Sequence, residues 1–146
     1  MSGSFRFLDD VAVADAAFEA CGDSPSELFA AASRALIETM VNPDTVSVEW
    51  RRAIVLEEAD LADLLFEWLS RIVYEKDAAG VVFHDATATV THAQPGGPWR
   101  LAGEMSGAPV DPQRQELHAD VKAITKHLYD VREQDGRWKA RVVIDV

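Results

Sequence analysis

Apolar residues return every three or four positions in the first third of the chain, which is the period of one helix face. Ser24-Pro25-Ser26-Glu27 precedes this stretch and has the form of a capping box, with Ser24 as N-cap, Pro25 at the first helical position and Glu27 at the third. Asn42-Pro43 ends it, because a residue before proline disfavours helical backbone. The apolar positions of this first predicted helix are Leu28, Phe29, Ala32, Leu36 and Met40.

A second helix is predicted from Asp60 to Glu75, with Asp60 as its N-cap and Gly80 closing the section. Its apolar residues form one wide stripe, and the polar residues between them lie largely off it. The members of the stripe are Leu61, Leu64, Leu65, Trp68, Leu69, Ile72 and Val73.

The rest of the chain reads as short extended segments separated by turns. Asp9 to Val13 is predicted as a loop or irregular strand, and turns are predicted at 94–98, 111–112 and 135–136, the last an Asp-Gly hairpin turn. This pattern predicts an α+β fold, a mostly antiparallel sheet packed with two amphipathic helices, in a single domain over residues 1–146. The predicted strands are Phe5–Leu8, Asp15–Cys21, Val46–Leu56 with a bulge, Val81–Phe83, Ala86–His92, Trp99–Ser106, Val121–Tyr129, Val131–Glu133 and Trp138–Asp145.

The charge balance narrows the classes of partner. With 25 acidic against 14 basic residues, the 146-residue chain carries a formal charge of −11. Phosphate backbones repel such a surface, and no cluster of lysine and arginine is visible, so direct, tight nucleic-acid binding is not expected. A basic protein partner or a cation fits better.

The chain carries no signal for export or membrane insertion. Its first residues lack an apolar stretch of signal-peptide length, and no segment approaches the roughly 18 apolar residues of a membrane span. The single cysteine, Cys21, cannot form an internal disulfide, and it is expected to be a half-buried packing residue at a strand end. We therefore expect a cytoplasmic protein without a membrane partner.

Common catalytic and nucleotide-binding motifs are absent. The sequence has no phosphate loop, no dinucleotide fingerprint, no His-Glu-x-x-His, no Cys-x-x-Cys and no nucleophile elbow. Its histidines are scattered without the spacing of a zinc site, so each is expected on the surface or on a strand face. They are His84, His92, His118 and His127.

Two aspartates stand out because they lie in apolar surroundings. Asp145 follows the apolar-rich strand 140–144, and Asp15 lies within Val13-Ala14-Asp15-Ala16-Ala17 without a basic neighbour. If their strands are adjacent, the two carboxylates could hold a hard cation, with Val146 adding a backbone or terminal oxygen. The alternative is two solvated acids, one at a strand end and one in a loop. Asp120 and Lys122, two apart on a predicted strand, are expected to form a plain surface ion pair.

At these residues the sequence resembles the archease family. Residues 111–127 resemble the family stretch that opens with Asp-Pro-x-Arg-His and closes with Glu-Val-Lys-Ala-x-Thr-Tyr-His, and residues 138–146 match its terminal strand. Residues 14–18 with Gly22 resemble the family's His-Thr-Ala-Asp segment and the strand after it, and residues 63–69 resemble its leucine-rich helix. The departures are Ala12 and Val13 for the family His and Thr, Gln115 for His, Asp120 for Glu and Lys126 for Tyr.

The resemblance implies a protein cofactor rather than an enzyme. Archeases support the RNA ligase of tRNA splicing and RNA repair, which joins 3′-phosphate and 5′-hydroxyl ends, by promoting its guanylylation and turnover. The resemblance also implies a divalent metal, most readily calcium, with manganese or magnesium as alternatives, on Asp15, Asp145 and Val146. Asp120, Lys122 and His127 are candidate accessory or partner-contacting residues.

Two other functions stay open at this stage. One is a diverged metal-binding or chaperone-like module without a ligase role, motivated by the altered family residues. The other is a metal-dependent phosphoesterase, in which Asp15 and Asp145 hold the ion and His127 acts as acid or base. The absence of a nucleophile or nucleotide motif argues against that enzyme.

Overall fold

A computed structural model describes residues 3–8 and 15–146. Two long helices and seven strands follow one another in the order β1–β2–α1–β3–α2–β4–β5–β6–β7. The helices are α1 (Pro25–Met40) and α2 (Leu61–Ala79), and the strands are β1 (Ser4–Phe7), β2 (Ala16–Gly22), β3 (Trp50–Glu58), β4 (Val81–His92), β5 (Trp99–Pro109), β6 (Ala123–Gln134) and β7 (Arg137–Asp145).

The strands form two antiparallel sheets that share one core with the helices. The four-stranded sheet has the order β1-β2-β7-β6, and the three-stranded sheet has the order β3-β5-β4. The predicted α+β architecture of antiparallel strands packed with two amphipathic helices is confirmed, although the strands divide between two sheets. Neither helix in the described part of the chain is long and apolar enough to cross a membrane.

Both helices begin at the predicted caps. Ser24 Oγ accepts a hydrogen bond from the Glu27 amide at 3.2 Å, and Asp60 Oδ1 accepts one from the Asp63 amide at 2.8 Å. Each bond satisfies an amide that has no partner within its own helix. The second helix runs four residues beyond the predicted Glu75, to Ala79, and ends at Gly80 with φ 65°, a left-handed conformation that glycine adopts without steric cost.

The core lies between the helices and the inner faces of both sheets. Trp68 of α2, fully buried, donates a 2.8 Å hydrogen bond from Nε1 to Ser33 Oγ of α1. A Cβ at Gly103 of β5 would lie 2.6 Å from the Trp68 ring, so the indole packs directly on the strand backbone. Large buried side chains around this contact complete the core: Phe18, Phe29, Phe83, Leu28, Leu36, Ile37, Leu64, Leu65, Leu69, Ile72 and Leu101.

The predicted strand start at Val46 is wrong. A short 3-10 helix spans Pro43–Thr45, and β3 begins only at Trp50. Val46 is 3% exposed because it packs into the core from a loop, and His84 Nδ1 lies 2.9 Å from its carbonyl oxygen. The alternation of Val46, Val48 and Trp50 therefore reflects one buried loop residue beside a strand.

Other boundaries shift by a few residues. The two predicted segments between 81 and 92 form one strand, β4, with an irregular register between Phe83 and Asp85. β6 begins at Ala123 and continues to Gln134, so the segments predicted from Val121 to Glu133 form one strand. Cys21 is half-buried near the end of β2, as expected. The whole predicted loop from Asp9 to Val13, which includes Ala12, lies outside the described residues.

Candidate functional site

The strand register brings Asp15 and Asp145 together at one end of the four-stranded sheet. Ala16 at the start of β2 is opposite Ile144 of β7. Continuing this antiparallel register by one residue places Asp15 directly opposite Asp145. The two strands are more than 100 residues apart in sequence, so only the fold creates this neighbourhood.

The Asp145 carboxylate lies on the outer face of the sheet, and Asp15 lies in a bend directly before β2. Phe18 and Val142 are paired and belong to the core, and successive side chains of a strand point to opposite faces. Asp145, three residues after Val142, is therefore on the outer face. Asp15 is exposed and Asp145 is half-buried.

The pair is electrostatically unfavourable on its own. Like charges on directly opposite strand positions destabilise a sheet. Within the described part of the chain, neither carboxylate makes a hydrogen bond or an ion pair that would offset this repulsion. A cation shared by the two oxygen groups would relieve it, and hard divalent cations prefer such ligands.

Backbone oxygens are the other donors near the pair. The Asp145 carbonyl accepts the Lys122 amide at 2.8 Å, which ties the start of β6 to the end of β7. Val146 follows Asp145, with its side chain packed partly against the core. No group of three or more His, Cys, Asp or Glu side chains that could hold a metal occurs among residues 3–8 and 15–146. The donor set thus consists of two carboxylates with main-chain oxygens, which suits an ion that keeps part of its water shell.

The predicted Asp120–Lys122 ion pair on a strand is wrong. Both residues precede β6, in a segment without regular structure, and Asp120 Oδ1 pairs with Lys76 Nζ of α2 at 2.8 Å. Burial works to lower the pKa of Lys76, but its hydrogen bonds to Asp120 and Asp77 outweigh burial and raise that pKa. The bond to Lys76 lowers the pKa of Asp120.

His118 fastens the same segment to the end of α1. Its Nε2 lies 2.9 Å from Glu116 Oε2, and its Nδ1 lies 2.7 Å from the Glu38 carbonyl oxygen. Only the protonated imidazole can donate both bonds. The hydrogen bond to Glu116 and then that to the Glu38 backbone raise the pKa of His118. A protonated His118 also supplies positive charge at a helix end whose last turn has no basic residue.

The anchoring by His118 predicts a pH dependence of stability. Because folding raises the pKa of His118, its contribution is fully present below the ordinary value of 6.5 and is lost as pH rises through the raised pKa. We expect His118→Gln to lower the free energy of unfolding more at pH 6 than at pH 9, measured by urea denaturation. His92→Gln is the matched control, and an equal loss for His118→Gln at both values would contradict the charged anchor.

The sequence pattern does not reveal the role of Lys76 or the anchoring role of His118. Their partners, Asp120 and Glu38, lie 44 and 80 residues away. The only local signal is a single lysine in the last turn of α2. These two residues position the segment that leads through Lys122 to Asp145.

The remaining candidate and altered positions have local roles. His127 is exposed on β6, within the irregular stretch between Thr125 and Asp130. Gln115 accepts the Asp111 amide at 2.8 Å and closes the turn before residue 116. Lys126 Nζ lies 4.0 Å from the centre of the Phe66 ring and 3.6 Å from Asp63 Oδ1, so it packs β6 against α2.

The family model and the similar proteins of known family all point to one protein family. The model of the archease protein family matches residues 5–146. Protein archease of Methanopyrus kandleri is 36% identical over 133 residues, covering 91% of this chain and 94% of the relative. Protein archease of Pyrococcus abyssi is 33% identical over 134 residues, covering 91% and 93%.

Two solved structures share the fold. The solution structure of a Methanobacterium thermoautotrophicum protein has a TM-score of 0.79 at 28% identity, covering 97% of this chain and 98% of that one. The crystal structure of a Thermotoga maritima protein, described as an archease and possible chaperone, has a TM-score of 0.60 at 18% identity, covering 95% and 96%. At that identity the second likeness concerns the fold alone.

Proposed function

Because the chain belongs to the archease family, we propose that it acts as a protein cofactor that activates an RNA ligase by promoting guanylylation and repeated turnover. The ligase joins RNA ends in tRNA splicing or repair. The observation that carries the proposal is the facing pair Asp15 and Asp145, an acidic site at the exposed end of two neighbouring strands.

The charge of the whole chain supports docking onto such a partner. An RNA-binding ligase needs a basic surface for phosphate groups, and this chain carries −11. Complementary fields speed association and orient the encounter. The same charge argues against direct, tight binding of RNA by this chain.

Asp15 and Asp145 would hold the divalent ion that the family resemblance implies, together with a main-chain oxygen of Val146. Calcium suits this oxygen set best, and magnesium or manganese are alternatives. The bound ion would supply positive charge for phosphate oxygens of a nucleotide at the ligase. Lys122 and Asp120 would act beside it, since the Lys122 amide binds the Asp145 carbonyl.

A second candidate function is a chaperone-like binding module. The Thermotoga maritima protein is described as a possible chaperone, which also requires a protein partner. In this chain Lys126 and Gln115, two of the altered family positions, have packing and turn-closing contacts of their own. This candidate needs no metal and no effect on guanylylation.

Ligase guanylylation separates the two candidates. We expect the purified chain, added to its cognate RNA ligase with GTP and manganese, to accelerate guanylylation and convert a single round of joining into many. The ligase alone is the baseline, and an equal amount of an unrelated acidic protein controls for charge. A competent ligase that is unaffected would contradict the activator function and favour the binding module.

A further inference from the structure

The outer edge of one strand, β3, pairs with no other strand in the described part of the chain. It lies at the margin of the three-stranded sheet and, among residues 3–8 and 15–146, pairs only with β5, in a regular register from Trp50 to Glu58. An exposed edge offers a row of unpaired amides and carbonyls to another strand. β3 contains no proline and no bulge, which are two of the features that commonly prevent such pairing; its edge does carry charged side chains.

The other sheet margins in the described part of the chain are less suited to pairing. β1 has four residues, and β6 is interrupted between Thr125 and Asp130, where Leu128 has φ 55°. β4 is irregular after Phe83, and its Val90 amide already binds Ser26 Oγ of α1. β3 is therefore the margin on which a second strand fits with least rearrangement.

The sequence of β3 is complementary to itself. An antiparallel pair of two copies centred on Ile54 aligns all nine residues, and it is the register that leaves none unpaired. In this register Arg51 faces Glu57 of the partner, and Ala53 faces Val55 of the partner. All four residues are exposed and share the outer face, and Val55, at 69%, is the most exposed large apolar side chain among the described residues.

The charges of β5 extend this match into a row. Arg51 already pairs with Glu104 at 2.8 Å, and Glu57 pairs with Arg100 at 3.5 Å. Joining two copies would set Arg100 and Glu57 of one chain next to Arg51 and Glu104 of the other. The signs alternate along the row, so the two central charges, Glu57 and Arg51, each have an opposite charge on both sides, and such cross-strand pairs are favourable.

The inner face of β3 also has features that favour a second strand at its edge. Arg52 and Glu58 are the inward-facing charges of β3, and Arg52 is neutralised by Glu75, which is 1% exposed and also binds Arg71 at 3.0 Å. Beside the edge, Leu56, Arg71 and Tyr74 line a groove of about 210 Å³ between β3 and α2. Tyr74 is 60% exposed, and a second copy on β3 would cover this groove.

We infer that β3 pairs with β3 of a second copy, so that the chain forms a two-fold symmetric dimer with a continuous six-stranded sheet. An interface of one strand edge and one groove is small, so the dimer dissociates on dilution through the micromolar range. Asp145 lies in the other sheet and Asp15 directly precedes β2 of that sheet, so both stay accessible and this association is independent of the proposed ligase role.

Charge reversal tests the strand, the partner and the register together. Arg51→Glu places like charges at both symmetric contacts, and so does Glu57→Arg, so we expect each variant to self-associate at least about tenfold more weakly than the unchanged chain. Mixed one to one, the two variants restore opposite charges at both contacts and form a heterodimer. Sedimentation velocity over a concentration series measures all three states, with circular dichroism to check the fold.

Arg132→Glu, the same charge change on β6, is the matched control and leaves association unaltered. An unchanged chain that is monomeric at high micromolar concentration would overturn the inference. So would a dimer that tolerates both single reversals, or two monomeric variants that fail to combine.

Discussion

Truncation of Trp68 to alanine is expected to lower the free energy of unfolding by about 3–5 kcal/mol, the range for large aromatic residues in a core. Trp68 is fully buried, packs on the backbone at Gly103, and binds Ser33 Oγ, so it joins α1, α2 and the three-stranded sheet at one point. Thermal unfolding and urea denaturation measure the loss.

Two further variants separate the contributions to this effect. Trp68→Phe keeps most of the apolar volume but leaves Ser33 Oγ without its indole donor, so we expect a smaller loss of about 1–3 kcal/mol. Trp99→Ala controls for the removal of a tryptophan, since Trp99 is half-exposed and stacks on exposed His92. A loss at Trp99 as large as that at Trp68 would show that the core is centred elsewhere.

The helices could be predicted from sequence because their determinants are local. The Ser24 and Asp60 caps bind amides three residues away, and the apolar stripe of α2 is the stripe that is buried. The fold class followed from the helices and the alternating strands. The α2 helix extends four residues beyond the predicted end because Glu75, Lys76 and Asp77 interrupt the apolar period after Val73, while the helical backbone continues through Ala78 and Ala79.

The site could be predicted only in part, because its geometry depends on pairing between distant strands. Asp15 and Asp145 were identified as acids in apolar surroundings, but their adjacency comes from the β2–β7 register. Asp120 was assigned to a strand, whereas its segment bonds to the end of α1: the His118 amide donates to the Met40 carbonyl at 2.8 Å. No local sequence pattern predicts a hydrogen bond between two residues that are 78 positions apart.

Replacing Asp15 and Asp145 together with asparagine is expected to abolish stimulation of the ligase and leave its guanylylation at the rate of the ligase alone. Asparagine keeps the shape of each side chain and removes the charge that would hold the cation. Because like charges face each other at this pair, the double variant should be as stable as the unchanged chain, or more so, in calcium-free buffer.

The effect of calcium on the melting temperature should also distinguish the unchanged chain from the double variant. A ligand that binds only the folded state stabilises it by about 2.7 kcal/mol at one hundred times its dissociation constant, so the melting temperature of the unchanged chain should rise with calcium and that of the double variant should not. Glu19→Gln is the matched control, since Glu19 lies on the same face of β2 and pairs with Arg6. Normal stimulation by the double variant would exclude the acidic pair as the activating site. Lost stimulation with an unaltered response to calcium would mean that the two carboxylates act directly on the ligase, without a metal.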